Sequence, residues 1–135
     1  MINILNTADI AHDFIQAMYA RYDVEPDYPW QKFPDYAVFR HTNGGRATVG
    51  KWFCLLMIIP AGKIGLDNDD MIAVINVKTD PVILGGLLAT TGIYPAYHMN
   101  KEHWISVHLA MIDNAILWQL IDESHQLTIR AVSLQ

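Results

Sequence analysis

The chain has 135 residues, of which 52% are hydrophobic and 17% are charged, and its net charge is −5. This length predicts one domain over residues 1–135, built around one hydrophobic core. The fourteen acidic against nine basic residues oppose a general attraction to phosphate backbones. No run approaches the roughly 20 apolar residues of a membrane span, and no secretory signal pattern opens the sequence. We therefore expect a cytoplasmic protein that has no membrane partner.

The first predicted elements are a helix and an aromatic connector. Apolar residues recur at three- and four-residue spacing between Asn6 and Tyr22, which is typical of a helix with one buried face. Asn6 or Thr7 is expected to cap its N-terminus. The following segment, Val24–Pro34, interleaves three prolines with aromatic residues. This pattern predicts an ordered connector that is held in place by its rings.

Three strands are predicted next, at Tyr36–His41, Lys51–Ile59 and Met71–Val77. The turn sequence Asn43–Gly44 tolerates positive φ angles, so the first two strands should form an antiparallel hairpin. The second strand is apolar at both sets of alternating positions, which predicts a central strand that is covered on both faces. Loops, the tail or another subunit must then cover the face that the helices do not reach.

The second half of the chain should contain two more helices and a strand. Asp80–Pro81 supplies a cap and a first residue for a short helix, which Gly85–Gly86 should limit. Residues Trp104–Leu109 alternate between apolar and polar and predict a half-exposed strand. Asp113 is expected to cap the last helix, and a short tail over Leu127–Gln135 to follow it.

Metal and catalytic motifs receive little support from the sequence. The lone cysteine, Cys54, lies in an apolar run and is expected to be buried. His98, His103 and His108 are five residues apart, a spacing that puts strand residues on opposite faces, so we expect no metal site. The acidic stretch Asp67–Asp70 fits a solvated turn better than a calcium loop. Phosphate-loop and nucleophile-elbow patterns are also missing, so we expect no catalytic residues and no cofactor.

The basic residues form two small groups that suggest nucleic-acid binding. Arg40, Arg46 and Lys51 all fall on the first hairpin, with His41 between them. Lys101 and Trp104 lie close together later in the chain. A hairpin with three cations is a plausible wing against a nucleic-acid backbone, although a solvated hairpin would carry the same residues.

The stretch from Tyr94 to Val107 (YPAYHMNKEHWISV) resembles the signature of the MmcQ/YjbR family. The resemblance spans about residues 10 to 128. Further matching pieces occur in the same order along the chain: Tyr28–Trp30, Lys51–Phe53, Asn76–Lys78, Asp80–Pro81 and Asp122–Ser124.

This resemblance implies an α+β fold, a two-layer antiparallel sheet with helices in the order α-β(3)-α-β(2)-α, which is YjbR-like and secretion-chaperone-like. It implies an additional strand around Tyr97–Asn100. It also implies DNA binding and a relationship to the CyaY fold, and brings no catalytic residues. The chain departs from the family pattern at Leu109–Met111, at His125, where a tyrosine is usual, and at Thr79, where a cysteine is usual.

Three functional hypotheses follow. The first is a non-enzymatic binding module for DNA, in which the cations named above contact phosphates and Tyr97 or Trp104 stacks on bases. The second is a protein-interaction or self-assembling module that uses the apolar second face of the central strand and the third strand. The third is a small-ligand protein that uses His98, Asn100 and Lys101. The residues of the family signature favour a structural role over a binding role, since its proline, asparagine and aromatic residues would shape and anchor a hairpin.

Overall fold

A computed structural model describes residues 6–42 and 50–133, with side chains up to residue 129. Over these residues the structure has three α-helices, a five-stranded sheet and a short 3-10 helix (η1). In chain order these are α1 Thr7–Tyr22, β1 Ala37–Arg40, β2 Trp52–Pro60, η1 Ala61–Ile64, β3 Met71–Lys78, α2 Pro81–Leu87, β4 Ile93–Pro95, β5 Trp104–His108 and α3 Asn114–Ser133. The α+β class and the α-β(3)-α-β(2)-α order predicted from the sequence are confirmed.

All neighbouring strands of the sheet are antiparallel, in the order β1-β2-β3-β5-β4. β2 lies between β1 and β3 and is almost fully buried, so the prediction of a central second strand is confirmed. The hairpin turn expected at Asn43–Gly44 lies outside the described residues. Arg46 lies outside them as well.

One face of the sheet is covered by α1 and α3, and we call it the helix face. Asn6 caps α1 as predicted, because its side-chain oxygen accepts a hydrogen bond from the Asp9 amide at 2.8 Å. Phe14 and Met18 on α1 and Ile121 on α3 are buried against the sheet. Cys54 lies in this core as predicted, and burial raises the pKa of its thiol.

The opposite face, the loop face, is covered by the chain's own irregular segments. The sequence left loops, the tail and another subunit as alternatives, and the structure places three segments there. The first is the connector, which Asp27 and Val38 tie to β1 through two backbone hydrogen bonds of 2.9 and 2.8 Å. The others are η1 together with Leu66, and the segment Tyr94–Met99. Beneath them lie buried β-strand side chains, among them Val38, Leu55, Met57, Ile59 and Val74.

Two strand predictions were wrong for the same physical reason. Trp104–Leu109 was expected to be half-exposed, but β5 is buried on both faces at Ile105, Ser106, Val107 and His108. The additional strand is at Ile93–Pro95, whereas the expected Tyr97–Asn100 forms bends. After β4 the chain turns over the sheet and covers the polar side of β5, so that this side is not exposed to solvent.

Two helix boundaries also differ from the prediction. α2 begins at Pro81 with Asp80 as its cap, as expected, but it runs through Gly85 and Gly86. α3 continues to Ser133 where a tail was expected from Leu127. Its first turn is capped by Asp113, as predicted, through a 3.2 Å hydrogen bond from the Ile116 amide. No helix among the described residues is both long enough and apolar enough to span a bilayer.

Candidate functional site

The family-signature segment is fastened to the sheet by a closed ring of hydrogen bonds. The Tyr97 amide donates to Ser106 Oγ at 2.9 Å, and Ser106 Oγ donates to Asn76 Oδ1 at 2.5 Å. Asn76 Nδ2 completes the ring by donating to the Tyr97 carbonyl at 2.8 Å. Asn76 and Ser106 are fully buried. These two polar side chains therefore satisfy the backbone of a loop that lies over the sheet, which is a structural role.

The residues of the small-ligand hypothesis lie in the turn that follows. His98 has a left-handed backbone with φ 64°, and its exposed ring lies against Tyr97. Asn100 Oδ1 accepts from the Glu102 amide at 2.7 Å, and the Asn100 carbonyl accepts from the Trp104 amide at 3.0 Å. The Asn100 oxygens are thus used in forming the turn. Lys101 is exposed at its tip.

An open groove of about 330 Å³ lies on the loop face, and we call it the aromatic groove. Trp30 is nearly perpendicular both to Trp52, at 5.5 Å between ring centroids, and to Tyr36, at 6.2 Å. Phe33 stacks on Tyr36 at 4.6 Å and remains 43% exposed. The complete lining is Trp30, Phe33, Tyr36, Trp52, Leu55, Met57, His98 and Met99. The connector rings therefore hold the connector in place, as predicted, and also leave aromatic surface open.

At the Trp52 end of this groove, strand register brings two cations and two tryptophans into a row. Arg40 lies opposite Trp52 on neighbouring strands, and Lys78 lies opposite Trp104. Because side chains alternate along a strand, Lys78 and Trp104 share the loop face with Asn76 and its partner on β5. We call Arg40, Trp52, Lys78 and Trp104 the cation-aromatic row.

The charge of Arg40 is partly used within the protein. Its guanidinium lies 3.2 Å from the Asp27 carboxylate and 5.8 Å from the centre of the Trp52 ring. These contacts orient Trp52 and tie the connector to the sheet.

The other sequence-predicted residues are distributed around the row. Lys51 immediately precedes Trp52 and is exposed, and Lys101 is exposed three residues before Trp104. Arg40, Lys51, Lys101 and Trp104 are therefore brought to one end of the sheet. Tyr97 is half-buried over the sheet and lines a cavity with Ile58 and Ile59, at the end of β2 opposite Trp52.

Sequence reasoning did not select Trp52, Lys78 or the connector rings as site residues. Residues two apart on a strand share a face, so Lys78 lies on the same face as Asn76, and Trp104 on the same face as Ser106. This pattern is visible in the sequence, but it identifies a site only once β3 and β5 are known to be neighbours.

His41 does not belong to this surface, although the sequence places it between the hairpin cations. It is buried on the helix face, where its Nε2 lies 2.5 Å from Thr128 Oγ1 and its ring 4.4 Å from that of His125. The Thr128 hydroxyl donates to the Ser124 carbonyl at 2.9 Å. Its oxygen therefore accepts a hydrogen bond from His41, which assigns the hydrogen of the neutral imidazole to Nε2. Burial, with a smaller effect of His125, lowers the pKa of His41 to about 4.

Beside His41, a charged pair joins the two long helices. Arg21 Nη2 lies 2.6 Å from Asp122 Oδ2, and the Tyr22 hydroxyl donates to Oδ1 of the same carboxylate. The hydrogen bond from Arg21 is the main reason that the pKa of Asp122 is lowered. Burial is the main reason that the pKa of Tyr22 is raised. These contacts join α1 to α3 on the helix face.

A second groove, of about 510 Å³, lies between α2 and α3. Ile83 and Leu87 form one wall, and Glu123 and Asp122 bring negative charge to the other. Val82 beside it is 87% exposed. This acidic groove is electrostatically unsuited to a phosphate backbone.

Comparison with known proteins places this fold and signature in a family. The YjbR family model matches residues 19–127. The chain is 39% identical over 117 residues to the uncharacterised protein YyaQ of Bacillus subtilis strain 168, covering 86% of this chain and 95% of that one. It is 40% identical over 72 residues to the uncharacterised protein YbdF of Escherichia coli O157:H7, covering 50% and 59% of the two chains.

Solved structures agree with this assignment. A crystal structure of a Pseudomonas syringae protein is similar with a TM-score of 0.80 and 49% identity, covering 87% of this chain and 97% of that chain. A Deinococcus radiodurans protein shares the fold with a TM-score of 0.60 at 20% identity, covering 84% and 76% of the two chains. The chain belongs to the YjbR family.

Proposed function

We propose that this protein is a non-enzymatic binding module for single-stranded nucleic acid, with the aromatic groove and the cation-aromatic row as its site. The observation that carries the proposal is the row itself: Arg40, Trp52, Lys78 and Trp104 alternate cation and aromatic ring beside an open groove. Stacking of one base on an aromatic side chain contributes about 1–3 kcal/mol, and lysine and arginine contact the phosphates between bases.

The geometry favours a single strand over a duplex. In a duplex the faces of the bases are stacked on each other, so rings such as Phe33 and Trp30 would have nothing to stack on. Duplex binding would depend mainly on phosphate contacts, which the net charge of −5 opposes. A single strand can supply unstacked bases to the groove while its phosphates contact Lys51, Lys78 and Lys101.

Tyr36 presents a neutral phenol to the groove. Burial raises the pKa of Tyr36, so its phenol stays neutral and is able to stack or to hydrogen-bond. Burial also lowers the pKa values of His41, His108 and His125, and none of these three side chains lines the groove.

Fluorescence anisotropy with short labelled oligonucleotides tests the proposal. We expect oligo-dT or oligo-U to bind with micromolar affinity at about 50 mM salt and several-fold more weakly at about 200 mM. A duplex of the same length should bind more weakly. Absence of binding at low salt, or binding that ignores added salt, would contradict the proposal.

Matched variants separate the groove from the rest of the surface. Trp30→Ala removes a groove ring and should weaken binding about tenfold, whereas Tyr19→Ala removes an exposed ring on α1 and should have no effect. Lys78→Ala should lower the slope of log affinity against log salt concentration by the amount expected for about one phosphate contact. Arg21→Ala, on the helix face, should leave this slope unchanged. Equal losses in both members of a pair would exclude this site.

A second candidate function, protein interaction, is favoured by the groove between α2 and α3. No residue of α2 is fully buried, and Val82 and Ile83 are 87% and 46% exposed. With Glu123 and Asp122 on the opposite wall, the groove matches a basic amphipathic partner segment rather than a second copy of this acidic chain. Titration with a basic amphipathic peptide tests it, and Val82→Asp should abolish that binding while leaving oligonucleotide binding intact.

A further inference from the structure

A further cavity, of about 420 Å³, lies on the loop face and continues the aromatic groove at the end opposite the cation-aromatic row. It shares Phe33 and Tyr36 with the groove, and its wall includes two lysines, Lys32 and Lys63. Asp35 contributes a carboxylate to the same wall. The stacked pair of Phe33 and Tyr36 is thus the boundary that the two cavities have in common.

The fold explains how these lysines come together. β1 pairs with β2 only as far as Leu56, so the end of β2 at Ile58–Pro60 extends beyond β1. The connector carries Lys32 to this overhang, and η1, which begins directly after β2, brings Lys63. Both lysines are exposed.

The two charged regions are separated by the length of β2. From Trp52 to Pro60 there are eight residue steps, which at about 3.3 Å each is a distance of about 26 Å. Aromatic rings occupy the interval: Trp52 and Trp30 towards one end, Tyr36 and Phe33 towards the other.

We infer that the two cavities form one path along β2 for a single nucleic-acid strand, and that Lys32 and Lys63 hold the phosphates at its far end. The inference rests on the proposed function and adds the direction and length of the bound segment. An extended strand spaces its phosphates about twice as far apart as the roughly 3.4 Å of a stacked duplex strand, so the path holds about four nucleotides. Bases between the two ends stack against the connector rings, and the phosphate nearest Asp35 is repelled by its carboxylate.

A length series tests this path. Oligo-dT and oligo-U of about two, four, six and eight nucleotides span the predicted site of about four nucleotides. Their binding is measured for the wild type and for the double variant Lys32→Ala/Lys63→Ala. Wild-type affinity should rise steeply up to about four nucleotides and then level off. The double variant should bind the dinucleotide like wild type and the longer oligonucleotides about tenfold more weakly, with a salt slope smaller by about 1.4.

Two further variants complete the design. Arg21→Ala, a charge loss on the helix face, should reproduce wild-type length dependence, and Asp35→Asn should tighten binding of the longer oligonucleotides. If wild type binds long oligonucleotides and the double variant retains full affinity and salt slope, the path is wrong and the proposed function stands. If wild type binds no oligonucleotide of any length, the proposed function fails and this inference fails with it. Circular dichroism of each variant verifies folding, which exposed lysines should not disturb.

Discussion

The two faces of the sheet are both buried, but by different means. On the helix face, α1 and α3 cover an almost wholly apolar core that includes Phe39, Phe53 and Ile75. On the loop face, the connector and the segment Tyr94–Met99 cover a smaller cluster, and aromatic rings such as Phe33 stay partly exposed. Helices seal a sheet with continuous rows of side chains, whereas irregular segments leave gaps between rings. The candidate binding site lies in such a gap.

The two faces also treat polar groups differently. A helix satisfies its own backbone, but a loop that lies on a sheet needs partners for its amides and carbonyls. On the loop face, Asn76 and Ser106 provide them for Tyr97. The helix face has a similar device at one point, where Ser124 donates to the Phe53 carbonyl and accepts from the Lys78 amide. The register of β1 and β2 shifts at this point, because Arg40 pairs with Trp52 while its neighbour pairs with Cys54.

The largest expected difference between the faces is in core packing. Phe39→Ala should lower the free energy of unfolding by about 4 kcal/mol, because Phe39 is fully buried with its ring edge-to-face to Phe14. Trp30→Ala on the loop face should cost only about 1 kcal/mol, since Trp30 is half-exposed. Urea unfolding of both variants measures this. Equal losses would mean that the loop face contributes as much to the core as the helix face.

The two buried serines, one on each face, allow the faces to be compared by the same substitution. Ser106→Ala and Ser124→Ala should each cost about 2 kcal/mol, because each leaves buried polar partners unsatisfied. Amide hydrogen exchange should separate them. Ser106→Ala should speed exchange at Tyr97, and Ser124→Ala at Lys78. If either variant loosened both sites equally, the faces would not be independent.

Acidification should lower the free energy of unfolding through His41, which is buried on the helix face. Its folded pKa is lowered to about 4, so below about pH 6.5 the unfolded chain binds a proton that the folded chain does not. The contribution of His41 should therefore be full above about pH 7 and fall as the pH drops through 6.5 towards the folded pKa, with a loss of about 1–2 kcal/mol by pH 5. Urea midpoints across this range give the measurement. His41→Gln should flatten the profile, and an unchanged profile would assign the loss to other groups.

The smallest effect is expected at the contact between α1 and α3. Arg21 and Asp122 are both close to half exposed, so solvent and salt screen their attraction. Arg21→Ala should shift the urea midpoint least of all these variants, and added salt should remove the shift. The lowered pKa of Asp122 gives the sign: its contribution is present above the ordinary carboxyl pKa and is lost as the pH falls. A shift that persists in salt would point to packing of the arginine stem instead.

Part of the candidate site was accessible from the sequence. Lys51, Lys101 and Trp104 were selected because of residue type and proximity to predicted turns. Lys78 was not selected, since its relation to Trp104 depends on the pairing of β3 with β5, which are separated in the chain by α2 and β4. The sequence placed His41 with the cations because its neighbours in the chain are basic. Its hydrogen-bond partner, Thr128, is 87 residues away in the chain, so nothing in the local sequence indicates this contact.

The sequence by itself determined the elements and the family. The apolar spacing of α1, the double-sided apolar pattern of β2, the cap at Asp80 and the segment Tyr94–Val107 are local signals, and each can be read from adjacent residues. The tertiary structure decided what those elements cover. The burial of β5, the open rings of the connector and the row across β1, β2, β3 and β5 depend on strand order and on loops folding over the sheet. Such contacts join residues far apart in the chain, and local propensity carries no information about them.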